Sequence, residues 1–183
     1  MKIFIRSIVI ICLILVGFFA NAQKGKVKKW QYSAGAEVLF PETNIRNSLN
    51  TGFGFSAEAE YDFTEHTGVT INATFGNLTA KKNIVGSPSA TELSNLQIFA
   101  LKPGFRYYLG NFYTTGEAGV AFLKGEIDDT RFTFTIGLGD KIAINKSSFL
   151  DVSVRHETWV GNVGFLGANG NPSVIGLRVA YCF

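Results

Sequence analysis

The stretch FGFSAEAEYDF, residues 53–63, separates two kinds of side chain completely. Every second position is apolar: Phe53, Phe55, Ala57, Ala59, Tyr61 and Phe63. The positions between them are small or acidic: Gly54, Ser56, Glu58, Glu60 and Asp62. Successive side chains of a β-strand point to opposite faces, whereas a helix with 3.6 residues per turn would mix the two sets. The stretch therefore predicts a strand with one apolar face and one charged face.

The same alternation recurs along the chain and predicts an all-β protein. We expect eight strands, over 30–40, 52–63, 68–78, 95–109, 112–123, 132–142, 149–159 and 173–183. Most of them are about 10–12 residues long, which suits strands that cross a bilayer at a tilt.

The predicted connections alternate between long and short. The long ones, rich in Asn, Ser, Thr and Gly, are 41–51, 79–94, 124–131 and 160–172, and the short ones are 64–67, 110–111 and 143–148. An even number of strands, with long loops at one end and tight turns at the other, is typical of an antiparallel up-and-down transmembrane β-barrel. Aromatic residues near both ends of the strands agree with this interpretation, because membrane interfaces favour them.

A secreted soluble barrel is the alternative, since it would turn the same apolar face inward and the charged face to water. Aromatic residues at the strand ends, unequal loop lengths and a last strand that runs to Phe183 favour the membrane barrel. The apolar face then meets lipid, and the charged face lines the lumen.

The N-terminus has the three parts of a secretory signal. Lys2 and Arg6 provide positive charge, residues 8–20 form an apolar run too short to span a bilayer, and Ala20-Asn21-Ala22 is a small-residue cleavage site. The predicted divisions of the chain are a signal peptide over 1–22, a basic periplasmic tail over 23–29 and an outer-membrane barrel domain over 30–183.

Charge and cysteine content exclude several kinds of partner. The net charge of +3 arises from basic residues in the signal and the tail, so we expect no nucleic-acid partner. Cys12 lies in the signal, which leaves Cys182 as a single thiol beside two histidines in the chain. We therefore expect no disulfide, no metal site and no cofactor.

Three stretches carry a resemblance to a known family. NLQIFALKPGFRYYLG at 95–110, FYTTGEAGVAF at 112–122 and GLRVAYCF at 176–183, with a signal that ends in ANAQ, resemble the small outer-membrane β-barrel proteins of the OmpX/OmpA-like and PorT-like kind. The resemblance covers essentially the whole chain after the signal. It implies localisation in the bacterial outer membrane, with outer-membrane lipid and lipopolysaccharide as partners.

The C-terminus resembles the signal that the outer-membrane assembly machinery reads in that family. The residues concerned are Val179, Tyr181 and Phe183, which alternate and end on an aromatic side chain. Arg178 departs from the family pattern, which usually has glycine at that position.

Charges of both signs are expected inside the barrel. An eight-stranded barrel has an interior that side chains just fill, and an enclosed charge without a partner costs several kcal/mol. We therefore predict an ion-pair network that plugs the lumen, formed by Glu37, Glu58, Glu60, Lys102, Arg106, Glu117, Arg155, Glu157 and Arg178.

The outer loops are the remaining candidates for function. WVGNVGFLGANGNP, residues 159–172, contains apolar side chains among glycines and asparagines. From it we predict Trp159, Phe165 and Leu166 as surface contacts with lipopolysaccharide or with an envelope or surface protein. The first two outer loops are predicted to be ordinary solvated connections.

No catalytic residue is predicted. His156 is expected on the lipid-facing side at the outer rim, but Thr158 stands where a lipid A hydrolase of this architecture would place its serine. The expected function is therefore non-enzymatic: outer-membrane structure or surface interaction through the loops. An accessory role in an envelope secretion or assembly machine is the alternative, ahead of a small-solute channel and a lipid A-modifying enzyme.

Overall fold

The computed structural model describes residues 30–42, 45–81, 95–125, 128–161 and 170–183. The strands are β1 (Trp30–Pro41), β2 (Gly52–Asp62), β3 (Thr67–Leu78), β4 (Leu96–Leu109), β5 (Phe112–Lys124), β6 (Asp129–Ala143), β7 (Phe149–Trp159) and β8 (Ser173–Cys182). Each pairs with the next in an antiparallel ladder, and β1 pairs with β8 to close the barrel. The predicted eight-stranded antiparallel barrel is confirmed.

Two sequence predictions concern residues that the structure does not describe. The signal peptide over 1–22 and the tail over 23–29 lie outside the described ranges, so this division of the chain stays a prediction. Within those ranges, the structure contains no helix of the length and apolar character needed to span a bilayer.

The two faces of the sheet differ as the alternation predicts. Side chains on the outer face are exposed although they are large and apolar, for example Phe53 at 68%, Phe55 at 67% and Ile136 at 61%. Charged side chains on the inner face are buried, with Glu58 at 5% and Arg178 at 0%. Apolar surface exposed to water is unfavourable by about 25 cal/mol per Å². Such a surface is the lipid-facing band of a membrane barrel.

One irregularity in the sheet has a local cause. The β4–β5 ladder skips two residue pairs between Leu101↔Val120 and Gly104↔Glu117. Pro103 lies in this gap, and proline has no backbone N–H to donate to a neighbouring strand. Gly119 faces the gap, where a Cβ atom would lie 2.1 Å from the carbonyl oxygen of Leu101. Glycine at this position allows the two strands to approach each other.

The interior of the barrel is divided along its axis into two layers. Charged side chains occupy the middle and the short-turn end. Apolar side chains fill the long-loop end, where a buried cluster contains Leu39, Ile45, Leu49, Leu78, Leu96, Ile98, Ala100, Ala121, Leu123, Trp159 and Val174. The lumen is therefore closed by an apolar layer above a charged one.

The first outer loop differs from its prediction as a solvated connection. Ile45 and Leu49 are 0% and 1% exposed, because the loop turns back into the barrel mouth. The backbone N–H of Asn50 donates to the carbonyl of Thr79 over 2.8 Å, and that of Lys81 donates to Ser48 over 2.9 Å. The bases of the first two outer loops are thus joined, and they hold an apolar cap on the lumen.

Replacement of an outward-facing residue at mid-strand tests the side assignment. Ile136→Arg lies at the centre of β6 and should destabilise the barrel in phospholipid vesicles by about 2–4 kcal/mol, since a charge there must enter hydrocarbon. Ile144→Arg is the matched control, because Ile144 is 56% exposed at a short turn, and its effect should be about 0–1 kcal/mol. Denaturant titration of the unfolding free energy measures both. Equal effects would contradict the assignment.

Candidate functional site

All nine residues of the predicted lumen network lie inside the barrel, each 9% exposed or less. They are Glu37, Glu58, Glu60, Lys102, Arg106, Glu117, Arg155, Glu157 and Arg178. Strands β1, β2, β4, β5, β7 and β8 contribute them, and in each strand they occupy the inward positions of the alternation. The structure brings these residues into one connected set.

Glu58 is the centre of the charged layer. One of its carboxylate oxygens accepts a hydrogen bond from Arg106 at 2.8 Å, and the other accepts one from Arg155 at 3.0 Å. Arg106 also pairs with Glu60 at 2.8 Å, and Arg155 lies 3.4 Å from Glu117. Each cation therefore joins two carboxylates, and the charges alternate across the lumen.

Lys102 extends this chain towards the apolar layer. Its ammonium group lies 2.5 Å from Glu157 and 3.8 Å from Glu117, and it donates to the hydroxyl of Thr135 over 3.1 Å. The indole N–H of Trp159 donates to Glu157 over 2.8 Å. Trp159 thus connects the charged layer to the apolar layer.

This position corrects the prediction of Trp159 as a surface-loop contact. The side chain is 0% exposed, because residue 159 has the same inward alternation along β7 as Asp151, Arg155 and Glu157. The alternation along β7 is sufficient to predict that residue 159 faces inward, whereas the apolar residues of the loop that follows suggest a surface role. Phe165 and Leu166 lie outside the described residues, so their surface role stays a prediction.

Arg178 joins the ends of the chain inside the lumen. It donates to Asp151 over 3.1 Å, to Ser33 over 2.7 Å and to Ser56 over 2.8 Å, and Glu37 lies 3.7 Å away. The position where the family pattern usually has glycine is therefore occupied by a residue that contacts three other strands.

Further side chains outside the predicted nine also belong to the network: Lys141, Tyr108, Tyr113 and Asp151, the partner of Arg178. Lys141 pairs with Glu60 at 2.6 Å, and the Tyr108 hydroxyl donates to the same carboxylate. The Tyr113 hydroxyl donates to Asp151 over 2.6 Å, while its ring lies under the Arg106 guanidinium at 4.1 Å. Charge alone does not select the tyrosines, but the inward alternation of β4 and β5 includes both. The chemical consequence of the complete network is a lumen closed by paired charges.

Removing one partner of a buried ion pair tests this closure. Lys102→Met should destabilise the barrel by about 3–5 kcal/mol, because Glu157 would keep a buried charge without its cation. The double variant Lys102→Met/Glu157→Gln should recover much of that loss. Unfolding free energies of the wild type, the two single variants and the double variant give the coupling. An additive result would contradict the pairing.

A second polar cluster lies outside the barrel wall at the long-loop end. Glu42 follows β1, and its carboxylate accepts a hydrogen bond from the Ser173 hydroxyl at 2.6 Å. The same carboxylate oxygen lies 2.7 Å from Nε2 of His156, whose Nδ1 lies 3.4 Å from the Thr158 hydroxyl. We call these four residues the rim cluster. His156 is thus at the rim, as predicted, while Glu42 and Ser173 were not among the predicted site residues.

The hydrogen bonding of the rim cluster favours an anchoring role. The Ser173 hydroxyl donates to Glu42 rather than to His156, so the histidine does not activate this serine as a nucleophile. The bond from Ser173, supported by His156, holds the pKa of Glu42 below its ordinary value of 4.5. Backbone N–H groups of Ile45 and Arg46 donate to the Glu42 carbonyl at 2.9 and 2.8 Å. Glu42 therefore fixes the start of the apolar cap to β7 and β8.

Acidification tests the anchor. Because the pKa of Glu42 is lowered by folding, its stabilising contribution is complete above the ordinary value and is lost as the pH falls through the lowered one. Hydrogen-exchange protection of the amides in 45–49 should consequently decrease between pH 7 and pH 3 in the wild type. In the Glu42→Gln variant, the part of this decrease that arises from protonation of Glu42 should be absent. An equal decrease in both proteins would show that Glu42 is not the anchor.

The residues of the predicted C-terminal assembly signal face outward, as the strand alternation predicts. Val179, Tyr181 and Phe183 are exposed at 50%, 45% and 61% on the outer face of the barrel. Recognition of these residues by the assembly machinery stays a prediction.

Comparison with known proteins agrees with this architecture. A model of the family described as outer membrane protein beta-barrel domain matches residues 10–183. No curated protein matches the chain. Among solved structures, Neisserial surface protein A superposes with a TM-score of 0.60 at 12% identity, covering 85% of this chain and 96% of its own.

Two further structures have the same fold. OprG of Pseudomonas aeruginosa gives a TM-score of 0.56 at 15% identity and covers 89% of this chain and 99% of its own. Ail of Yersinia pestis, in complex with the heparin analogue sucrose octasulfate, gives 0.53 at 12% identity, with 84% and 97% coverage. At these identities the likeness concerns the fold alone.

Proposed function

Since the chain belongs to the outer membrane protein β-barrel domain family and is a protein of the bacterial outer membrane, we propose that it acts as a closed scaffold. In this role it supports outer-membrane structure and presents its outer loops to ligands at the cell surface. The role is non-enzymatic, and it requires no passage of solute through the lumen.

The observation that carries this proposal is the double closure of the lumen. The charged layer occupies the cross-section with paired side chains around Glu58, and the apolar layer above it is capped by Ile45 and Leu49. Opening a path for a solute would require both separated ion pairs and hydrated apolar side chains, each of which is unfavourable. A rigid, filled barrel is instead suited to holding loops in place.

The proposed ligands are outer-membrane lipid and lipopolysaccharide, with an envelope or surface protein as a further partner. The exposed apolar band accounts for contact with lipid acyl chains. A neighbour of the same fold, Ail, is known in complex with a polyanionic heparin analogue, which supports the idea that barrels of this size take anionic ligands. Folding of the chain itself is proposed to depend on the outer-membrane assembly machinery through its C-terminal strand.

Planar-bilayer recording tests the closed lumen. The wild-type barrel should give no stable conductance, because both layers remain in place under the applied voltage. A variant with the cap weakened, Ile45→Ser/Leu49→Ser, should also stay closed, since the charged layer below it is intact. A stable, large conductance from the wild-type protein would contradict the scaffold proposal and favour a channel.

A cell experiment separates the scaffold role from an accessory role in secretion or assembly. Deletion of the protein should increase permeability of the outer membrane to a detergent or a large antibiotic, while the set of secreted proteins stays the same. Complementation with the wild type and with a variant whose 160–172 loop is shortened provides the control. Loss of secreted proteins on deletion, with an unchanged barrier, would favour the secretion or assembly role instead.

A further inference from the structure

The outer end of the barrel carries a cleft that the lumen network does not use. Its volume is about 410 Å³, and it lies over the outer ends of β1 and β8 below the first outer loop. Its lining includes Phe40, Glu42, Arg46, Leu49, Lys81 and Ile175. The size is in the range of clefts that hold small ligands. We call it the rim cleft.

One side of the rim cleft is polar and basic. Arg46 and Lys81 are both exposed there, and they come from two different loops that the backbone bond between Lys81 and Ser48 joins. The Lys81 ammonium donates to the carbonyl of Arg46 over 2.6 Å, which places it beside the Arg46 backbone. An ammonium group has three donors, so this contact uses one of them. The fold thus places two basic residues in the lining of one cleft.

The acidic residue of the cleft is occupied by other groups. One carboxylate oxygen of Glu42 contacts both Ser173 on β8 and His156 on β7, which holds this carboxylate in the rim cluster. With Arg46 and Lys81 against Glu42, the formal charge of the lining is positive. The cleft therefore complements a negatively charged group.

The other side of the rim cleft is apolar and continues into the lipid-facing wall. Phe40 and Ile175 are paired across the β1–β8 ladder, and the next outward pair towards the membrane is Val38 and Leu177. Phe40 is 40% exposed and Leu177 is 44% exposed on this outer face. A ligand in the cleft consequently meets two basic residues and also an apolar wall that continues into the lipid-facing surface.

We infer that the rim cleft binds the phosphorylated headgroup of an outer-leaflet lipid, with the phosphate at Arg46 and Lys81 and the first part of an acyl chain along Phe40 and Ile175. This inference rests on the proposed function and names a site for its lipid ligand. A lipid matches the cleft better than a free phosphate ion does, because the apolar wall contributes only when the ligand carries hydrocarbon.

The opposite side of the barrel provides a matched control. β5 is four strands from β1 in either direction around the closed sheet, and β6 is its neighbour. There Arg131 is paired with Asp129 at 2.5 Å, and Lys124 is an exposed base at the end of β5. Lys124→Gln therefore removes one positive charge from the long-loop end of the barrel without changing the rim cleft.

Native mass spectrometry of the full chain in detergent micelles, titrated with bis-phosphorylated lipid A, tests the inference. Arg46→Gln/Lys81→Gln should bind this lipid roughly thirty-fold more weakly, the change expected when about 1 kcal/mol is lost for each basic residue near an anionic lipid surface. Arg46→Gln alone should give an intermediate loss, and Lys124→Gln should bind within about twofold of the wild type. A heat-modifiable gel shift confirms that each variant is folded.

Two comparison probes separate the possible ligands. Dephosphorylated lipid A should bind the wild type about as weakly as bis-phosphorylated lipid A binds the double variant. Inorganic phosphate at millimolar concentration should not displace the lipid. Equal binding of both forms of lipid A, displacement by inorganic phosphate, or an unchanged affinity in the double variant would each overturn the site.

The outcome is distinguishable from that of the scaffold proposal. Suppose that the double variant loses lipid A binding while cells that carry it keep a normal permeability barrier. The rim cleft is then a lipid site, but lipid binding there does not contribute to the barrier. If the wild type conducts ions but the variants change lipid binding as expected, the closed scaffold fails and the site stands. If the double variant binds lipid A as well as the wild type does and cells that carry it keep an intact barrier, the site fails and the scaffold proposal stands.

Discussion

Backbone hydrogen bonds between β1 and β8 join the first strand to the last, with a register that runs from Ser33↔Cys182 to Pro41↔Val174. The amide of Phe183 also donates to the carbonyl of Tyr32 over 2.9 Å, which extends the pairing to the final residue. Hydrocarbon offers no water to unpaired backbone groups, so an open sheet edge is not viable in a bilayer. The membrane barrel exists because this pairing leaves no such edge.

The closure also determines the interior. Eight strands enclose a space that side chains fill, and the β1–β8 register places Glu37 opposite Arg178 within it. Once inside, each charge needs partners from other strands, because desolvation otherwise exceeds the attraction of a single pair. Glu58, Arg106 and Arg155 meet this requirement by sharing partners, as do Lys102 and Glu157 at the edge of the apolar layer.

Because the lumen is filled, the proposed function is assigned to the outer end of the barrel. There the first loop has two roles that depend on each other. Leu49 is buried in the barrel mouth and also contributes to the wall of the rim cleft, while Glu42 fixes the start of the loop to β7 and β8. The same folding that caps the lumen brings Arg46 beside Lys81. The capped barrel and the basic cleft are therefore parts of one arrangement.

Strand number, strand position and the direction of each face were predictable from the sequence, because alternation with period two is a local property of the chain. The same alternation selects the nine charged lumen residues, and it also includes Trp159 among the inward positions of β7. Local sequence contained no sign that Ile45 and Leu49 turn inward, since a polar loop with two apolar residues also suits a solvated connection.

The partners within the site were decided by the tertiary structure alone. Arg178 contacts Ser33 across 145 residues of sequence, and His156 contacts Glu42 across 114. Such pairs depend on strand register and on closure of the barrel, which no local pattern encodes. The sequence by itself therefore determined that this protein is a barrel in the outer membrane and which side chains face lipid. The tertiary structure decided which charges meet, how the lumen is sealed and where the rim cleft forms, because these depend on contacts between distant segments.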